Sequence, residues 1–225
     1  IVADVNIMDR VNSGFSWNMN ANFSNNKNEV IDILTDENVN QYTILNFDDM
    51  AVKAVAGGNY GEIWGHLFQR VDDKGSPHFG KLILDPAGLP QRDGTQRKIG
   101  DQQANFLLGI TNSFTYKNFG FSFMIDGRFG GEMFSATQVA MYANGTAAGT
   151  VVNGERAPFV VEGVISDGTG GYVQNTQEVD PQVYWNRVGR ANNLGIHEAF
   201  LYDASNIRLR NVQLSYMLPK GSLGS

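Results

Sequence analysis

Three histidines, His66, His78 and His197, are the first residues whose type could carry chemistry. They lie far apart, and none falls in an HExxH or HxH pattern, the spacings that aim two imidazoles at one zinc ion. Solvated or packed histidines account for them, and no metal is expected. Asp72, Asp73, Asp85 and Asp93 flank turns and could gather around calcium, but Asp-Gly turn chemistry explains the same positions without an ion. Gly127 to Gly131 lacks the following helix that a phosphate site needs. There is no EF-hand loop, P-loop, G-x-S-x-G or dinucleotide fingerprint. Cysteine is absent, which removes thiolate ligands, disulfides and cysteine nucleophiles together. No carboxylate pair stands out for acid–base work. The chain is read as a non-enzyme, with no catalytic residue, no metal and no cofactor.

Aromatic side chains offer a different chemistry. Trp64, Phe68, Tyr172, Tyr184 and Trp185 sit in long connections, where their faces could stack on sugar rings or anchor a partner protein. The competing reading is that they pack small cores within those connections. A formal net charge of -6 argues against nucleic acid, which needs a basic footprint to neutralise phosphates. Lys and Arg are scattered, so no polybasic membrane-surface segment exists. No apolar run approaches the roughly 18 residues of a transmembrane helix. A barrel strand needs only about 9–11 residues of alternating polarity, and leaves mean hydropathy low.

The elements that must position these side chains are strands. From Phe15 to Ser24, the odd positions are Phe15, Trp17, Met19, Ala21 and Phe23, and the even ones are Ser16, Asn18, Asn20, Asn22 and Ser24. In a strand the two sets face opposite sides. Phe106 to Tyr116 repeats the pattern with Phe106, Leu108, Ile110, Phe114 and Tyr116 on one face, Asn112 being the exception. After a two-residue Lys117-Asn118 turn, Phe119, Phe121, Phe123 and Ile125 oppose Gly120, Ser122, Met124 and Asp126. A last segment sets Val212, Leu214, Tyr216 and Leu218 against Asn211, Gln213 and Ser215; a weaker first one sets Val5, Ile7 and Val11 against Asp4, Asn6, Arg10 and Asn12. Ile207 to Arg210 has the opposite parity to Val212 onward, which requires either a β-bulge or a stretch standing clear of a bilayer.

Alternation alone also suits a soluble sheet with one face on a core. Three features favour a membrane barrel. The apolar faces are rich in Phe, Trp and Tyr; the polar faces use Gly, Ser, Thr and Asn rather than Lys or Glu; and the connections alternate short and long. Tight turns follow the first and third strands, whereas about 80 residues separate the second from the third and about 75 the fourth from the fifth, lengths uncommon in compact soluble domains. The fold class expected is all-β: an antiparallel transmembrane β-barrel segment of about five strands near 1–11, 15–24, 106–116, 119–128 and 205–218, with extracellular loops 25–105 and 129–204. Phe15, Trp17, Met19, Phe23, Phe114, Tyr116, Phe119, Phe121, Phe123, Leu214 and Tyr216 would face lipid. Within the first loop, Gly61–Arg70 and Gly80–Asp85 read as a hairpin and Asp48 to Ala56 as a short helix. In the second, Asp167 to Gly171 reads as a hairpin tip. The alternative is a soluble β-sandwich, a carbohydrate-binding or adhesin module. A start at Ile1 without an initiator Met, and an end at Ser225 just after a strand, read as a fragment of something longer.

Four segments carry a family resemblance: Trp17 to Val30 (WNMNANFSNNKNEV), Ile99 to Phe106 running into TNSFTYKNF, Phe121 to Gly131 (FSFMIDGRFGG), and Tyr202 to Lys220 (YDASNIRLRNVQLSYMLPK). In order and spacing they resemble the C-terminal barrel portion of the SusC/RagA family of TonB-linked (TonB-dependent) outer-membrane transporters. The chain departs from that family at Ala104, where a Pro is usual. The resemblance implies roughly strands 16 to 20 of a 22-stranded barrel whose plug domain is absent from this sequence. It also implies an outer-membrane importer of bulky nutrients, oligosaccharides or peptides, working with a SusD-like surface lipoprotein and with the TonB complex through a missing N-terminal region. It supplies no residue-level ligand motif.

Overall fold

The computed structural model describes residues 1–8, 14–33, 39–151, 154–189 and 195–219. Arg10, Val11, Asn12 and Ser13 of the expected first strand and turn, and the Lys220–Ser222 end, lie outside the described residues. In chain order the strands are β1 (Val2–Met8), β2 (Phe15–Ser24), β3 (Gln41–Phe47), β4 (Met50–Val55), β5 (Tyr60–Gly65), β6 (Ile83–Leu84), β7 (Arg97–Asp101), β8 (Phe106–Tyr116) and β9 (Phe119–Phe129). They continue with β10 (Glu132–Phe134), β11 (Phe159–Val160), β12 (Val164–Ser166), β13 (Tyr172–Gln174), β14 (Glu178–Val179), β15 (Leu201–Asp203) and β16 (Asn206–Tyr216). Two helices are α1 (Ala136–Ala143) and α2 (Pro181–Gly189). The chain divides into two units. One comprises Ile1–Asn28, Gln103–Gly131 and Asp203–Ser225, the other Glu29–Gln102 and Glu132–Tyr202. No described helix is long and apolar enough to cross a membrane, which leaves open crossing by strands.

The first unit is one antiparallel sheet in the order β1-β2-β8-β9-β16. The strands follow the alternating segments, and β2 and β8 span Phe15–Ser24 and Phe106–Tyr116. Because side chains alternate, register decides whether five local patterns become one surface. Here it does. Trp17, Phe114, Phe121 and Leu214 form one row, and Ala3, Ala21, Ile110, Ile125 and Leu209 another. On the opposite face, Asn6, Asn18, Ser113, Ser122 and Gln213 line up in the same way. The parity change after Arg210 is a β-bulge: the register shifts between Arg210 and Gln213, and Asn211 takes φ 48°. That extra residue returns Ile207 and Leu209 to the same face as Leu214 and Tyr216.

The ends of this sheet differ. Phe15, Tyr116, Phe119 and Tyr216 pair in sequence at one end, where Lys117 N–H donates to Gly14 O and Met217 N–H to Asn118 O. Ser24, Leu107, Arg128 and Asn206 mark the other. Both long connections leave from that second end. The ring-rich face is uncovered: Phe119 is 54% exposed and Leu214 76%. None of the four apolar core clusters contains a residue of this face. The sheet is also open. Among the described residues β1 and β16 each pair on one side only, and no closed barrel forms.

The second unit holds the buried clusters and a four-stranded sheet ordered β3-β4-β5-β7. Asp48 to Ala56, expected to be a short helix, is instead the Asp48-Asp49 turn followed by β4. Met50, Ala51, Val52 and Ala54 are all buried, and a short apolar run buried on both faces has no period that separates strand from helix. The expected Gly61–Arg70 with Gly80–Asp85 hairpin is corrected in part. β5 pairs with β4 and β7, while Gln69 and Val71 exchange hydrogen bonds with Lys81 and Ile83 beyond it. Pairing there divides at His66, where the strand ends. The Asp167–Gly171 tip joins β12 to β13 as expected, with Asp167 Oδ1 accepting from the Thr169 and Gly171 N–H groups.

Candidate functional site

Of the five connection aromatics, Phe68, Tyr184 and Trp185 share one apolar cluster, with the Tyr184 and Trp185 rings 4.9 Å apart, whereas Trp64 and Tyr172 lie elsewhere in the second unit. Trp64 lies on β5, where its indole N–H donates to Glu62 Oε2 at 3.0 Å and the Lys53 ammonium stands 4.9 Å from its ring centre. Glu62 is buried and paired with Lys98 Nζ at 2.7 Å. Burial opposes charge on Lys98, but the Glu62 and Asp101 carboxylates together outweigh it and hold the ammonium above its usual range. Phe68 packs against the Val188, Ile196 and Phe200 cluster, and Tyr172 against Val71, Ile83 and Val164. Tyr184 contacts Phe159 edge-on at 5.1 Å, and burial pushes its hydroxyl pKa up. Trp185 lines a pocket.

That pocket, of about 320 Å³, forms where the end of α1 meets the start of α2. Each helix terminus is fixed locally. Ser135 caps α1 through its hydroxyl, which accepts from Gln138 N–H, and Gly145 ends it at φ 70°. Asp180 caps α2, its Oδ1 accepting from Gln182 N–H at 2.8 Å. The rings of Tyr142 and Trp185 stand 4.2 Å apart and tilted by 44°, giving an aromatic wall. Gly149 makes room for that wall, because a Cβ there would overlap the Tyr142 hydroxyl. Polar groups ring the opening: Asn144, Gln182, Asp180 and Arg156, whose Nη2 donates to Gly145 O at 2.5 Å. A concave aromatic surface with a few convergent polar groups is suited to holding a small polar ligand.

Sequence reasoning missed Tyr142, Asn144, Arg156, Asp180 and Gln182. The Asp180-Pro181 pair is a helix-start signal that could have marked α2. Nothing in the sequence points to Arg156.

Two histidines that are distant in sequence do meet. His66 and His197 are buried with ring centres 5.7 Å apart. The backbone N–H of His66 donates to His197 Nδ1 at 3.0 Å, so the His197 proton sits on Nε2, facing Asp48 O at 3.0 Å. His66 Nε2 lies 2.9 Å from Asp49 Oδ2, which also takes Arg92 Nη1 at 3.0 Å. These contacts anchor the turn between β3 and β4. Among the described residues no group of three His, Asp or Glu side chains could hold a metal ion.

On the polar face of the first unit's sheet, Asp126 lies between two arginines. Arg208 Nη2 is 3.0 Å from its Oδ2, and Arg210 Nε is 2.6 Å from its Oδ1 as a charge pair without hydrogen-bond alignment.

The chain is similar to TonB-dependent receptor P3 of Formosa agariphila, 25% identical over 235 residues, a stretch covering 98% of the chain and 21% of that receptor's length. No family model matches the chain.

Proposed function

We propose that this chain is part of a SusC/RagA-type TonB-dependent importer in the bacterial outer membrane, contributing five adjacent strands to a barrel of 22. In this reading the transporter takes in bulky nutrients, oligosaccharides or peptides, together with a SusD-like surface lipoprotein. Energy reaches it from the TonB complex through a region outside this chain. Phe15, Trp17, Met19, Phe23, Phe114, Tyr116, Phe119, Phe121, Phe123, Leu214 and Tyr216 meet lipid. The asparagine-, serine- and threonine-rich face lines the lumen, and the two long connections stand on the extracellular side.

The observation that carries this reading is the single exposed ring-rich face, continuous across five strands, with both long connections leaving one end of the sheet. Soluble monomers rarely leave so large an apolar surface bare. Its dimensions also suit a bilayer. Aromatic rows run through Phe15, Tyr116, Phe119 and Tyr216 at one end and through Phe23, Phe106 and Phe129 at the other. Eight residue steps separate Phe15 from Phe23, about 27 Å along a strand. A barrel tilt near 40° reduces this to about 20 Å, close to the ~25 Å apolar band between interfacial girdles. The unpaired edges of β1 and β16 are where neighbouring barrel strands would join. The likeness to a TonB-dependent receptor points the same way. A soluble sandwich needs a second layer over these rings, and their exposure weighs against it.

The test is cellular. The protein should remain in outer membranes washed with sodium carbonate, and deleting its gene should abolish uptake of one class of oligosaccharide or peptide in a protonophore-sensitive way. Recovery in the soluble fraction, or uptake indifferent to the proton gradient, would reject the proposal.

A further inference from the structure

The pocket between α1 and α2 has a chemistry more specific than its surroundings. We infer that it holds one uncharged sugar ring of an oligosaccharide. A pyranose presents a C–H face that packs on an aromatic surface and a rim of hydroxyls that both donate and accept. The pocket offers the counterpart of each. Tyr142 and Trp185 supply the wall, with ring centres 4.2 Å apart. The Asn144 and Gln182 carboxamides donate and accept, the Asp180 carboxylate accepts, and the Arg156 guanidinium donates. At about 320 Å³ the space is at the small end of ligand sites, which run to roughly 300–1,000 Å³, so it takes a single unit of a chain rather than the whole.

Charge and shape exclude the neighbouring classes. Among the described lining residues the one guanidinium is balanced by the one carboxylate, so a sulfated, phosphorylated or uronic ligand gains no net attraction. The start of α2 is no anion site either, because Asp180 already occupies its first N–H groups. An extended peptide that binds by adding a strand needs a sheet edge. None of the described lining residues lies on a strand, so the pocket offers no such edge among them. The inference deepens the importer reading and rests on it for the origin of the sugar, while the binding chemistry stands on the pocket alone.

The experiment uses the intact protein extracted from its membrane in detergent and titrated calorimetrically with maltohexaose, cellohexaose, laminarihexaose and xylohexaose. Trialanine and a sulfated oligosaccharide serve as comparison probes. At least one neutral hexasaccharide should bind, and Arg156→Gln and Gln182→Ala should each weaken it about tenfold, while Trp185→Ala abolishes it. Trp185 also packs in a core, so the two rim variants, both at exposed positions, decide the matter. The inference is overturned if no neutral hexasaccharide binds, if both rim variants bind within twofold of wild type, or if only the peptide or the sulfated probe binds. Binding in detergent needs neither TonB nor import. Uptake that is indifferent to gene deletion or to the proton gradient, found with pocket-dependent binding, would therefore reject the importer reading alone, and uptake that needs both, found with pocket-independent binding, would reject this inference alone.

Discussion

The indole N–H of Trp17 donates to Asn112 Oδ1 at 3.1 Å, across the pair of strands β2 and β8. Trp17 opposes Phe114 and Asn112 opposes Met19, so the bond is diagonal. It joins the two polar side chains on an otherwise apolar stretch of this face. Asn112 is thus the hydrogen-bond partner of the indole rather than a break in the pattern.

In lipid such a bond has no water to compete with it, although interhelical side-chain bonds in membranes average only about 0.6 kcal/mol. Trp17→Phe and Asn112→Leu should each destabilise the protein by about 1 kcal/mol, and the double variant by less than their sum. Heat-modifiability midpoints on gels give the cycle. Additive losses would show that the two side chains act independently.

Charge should be tolerated on one face only. Ile110→Lys, in the aliphatic row between the two aromatic ones, should cost about 2–4 kcal/mol and block assembly into the outer membrane. Thr111→Lys, one residue along and on the opposite face, should assemble at near wild-type levels. Protease resistance of the membrane-inserted protein reports both.

His197 makes the second unit sensitive to acid. Chiefly burial, with His66 adding to it, holds this imidazole below its ordinary 6.5 against the opposing Asp48 carbonyl and Asp49. A depressed histidine is neutral when folded, so its stabilisation is present above pH 6.5 and is lost as the pH falls toward the lower folded value. Protonation would also remove the Nδ1 acceptor of the His66 amide. Exchange of that amide, corrected for intrinsic rate, should speed by about threefold or more between pH 7.5 and 5.5. His197→Gln should flatten the dependence.

Gly65 sits against the same pair. A Cβ there would meet His197 Cβ and Ile99 Cδ1, both at 2.8 Å. Gly65→Ala should therefore cost about 1–3 kcal/mol by overpacking. Thermal melting of the second unit, followed by tryptophan fluorescence, measures it.

How legible the fold was depended on how local its signal is. Period two survives in the sequence wherever a strand has one apolar and one polar face, and β2, β8 and β9 were visible down to their turns for that reason. The parity change after Arg210 left a β-bulge and a stretch clear of a bilayer as alternatives, and the structure has the bulge, at Asn211. β4 did not, because Met50 to Ala54 is buried on both sides and carries no period. The pocket was less legible still. Trp185 could be nominated as an aromatic in a long connection, but Tyr142, Arg156 and Asp180 come together only through the packing of α1 on α2. The meeting of His66 with His197 is likewise a tertiary event, 131 residues apart.

The most direct measurement of the lipid-facing reading is a cysteine scan along β9 in native outer membranes, for which this chain offers a background without cysteine. Single cysteines from Gly120 to Asp126 would carry nitroxide labels, with accessibility to oxygen and to a water-soluble nickel complex read by paramagnetic relaxation. Labels at Phe121, Phe123 and Ile125 should favour oxygen, and labels at Gly120, Ser122, Met124 and Asp126 the nickel complex, in strict alternation. Uniform access to nickel on both faces, or rings shielded from both reagents, would contradict the account.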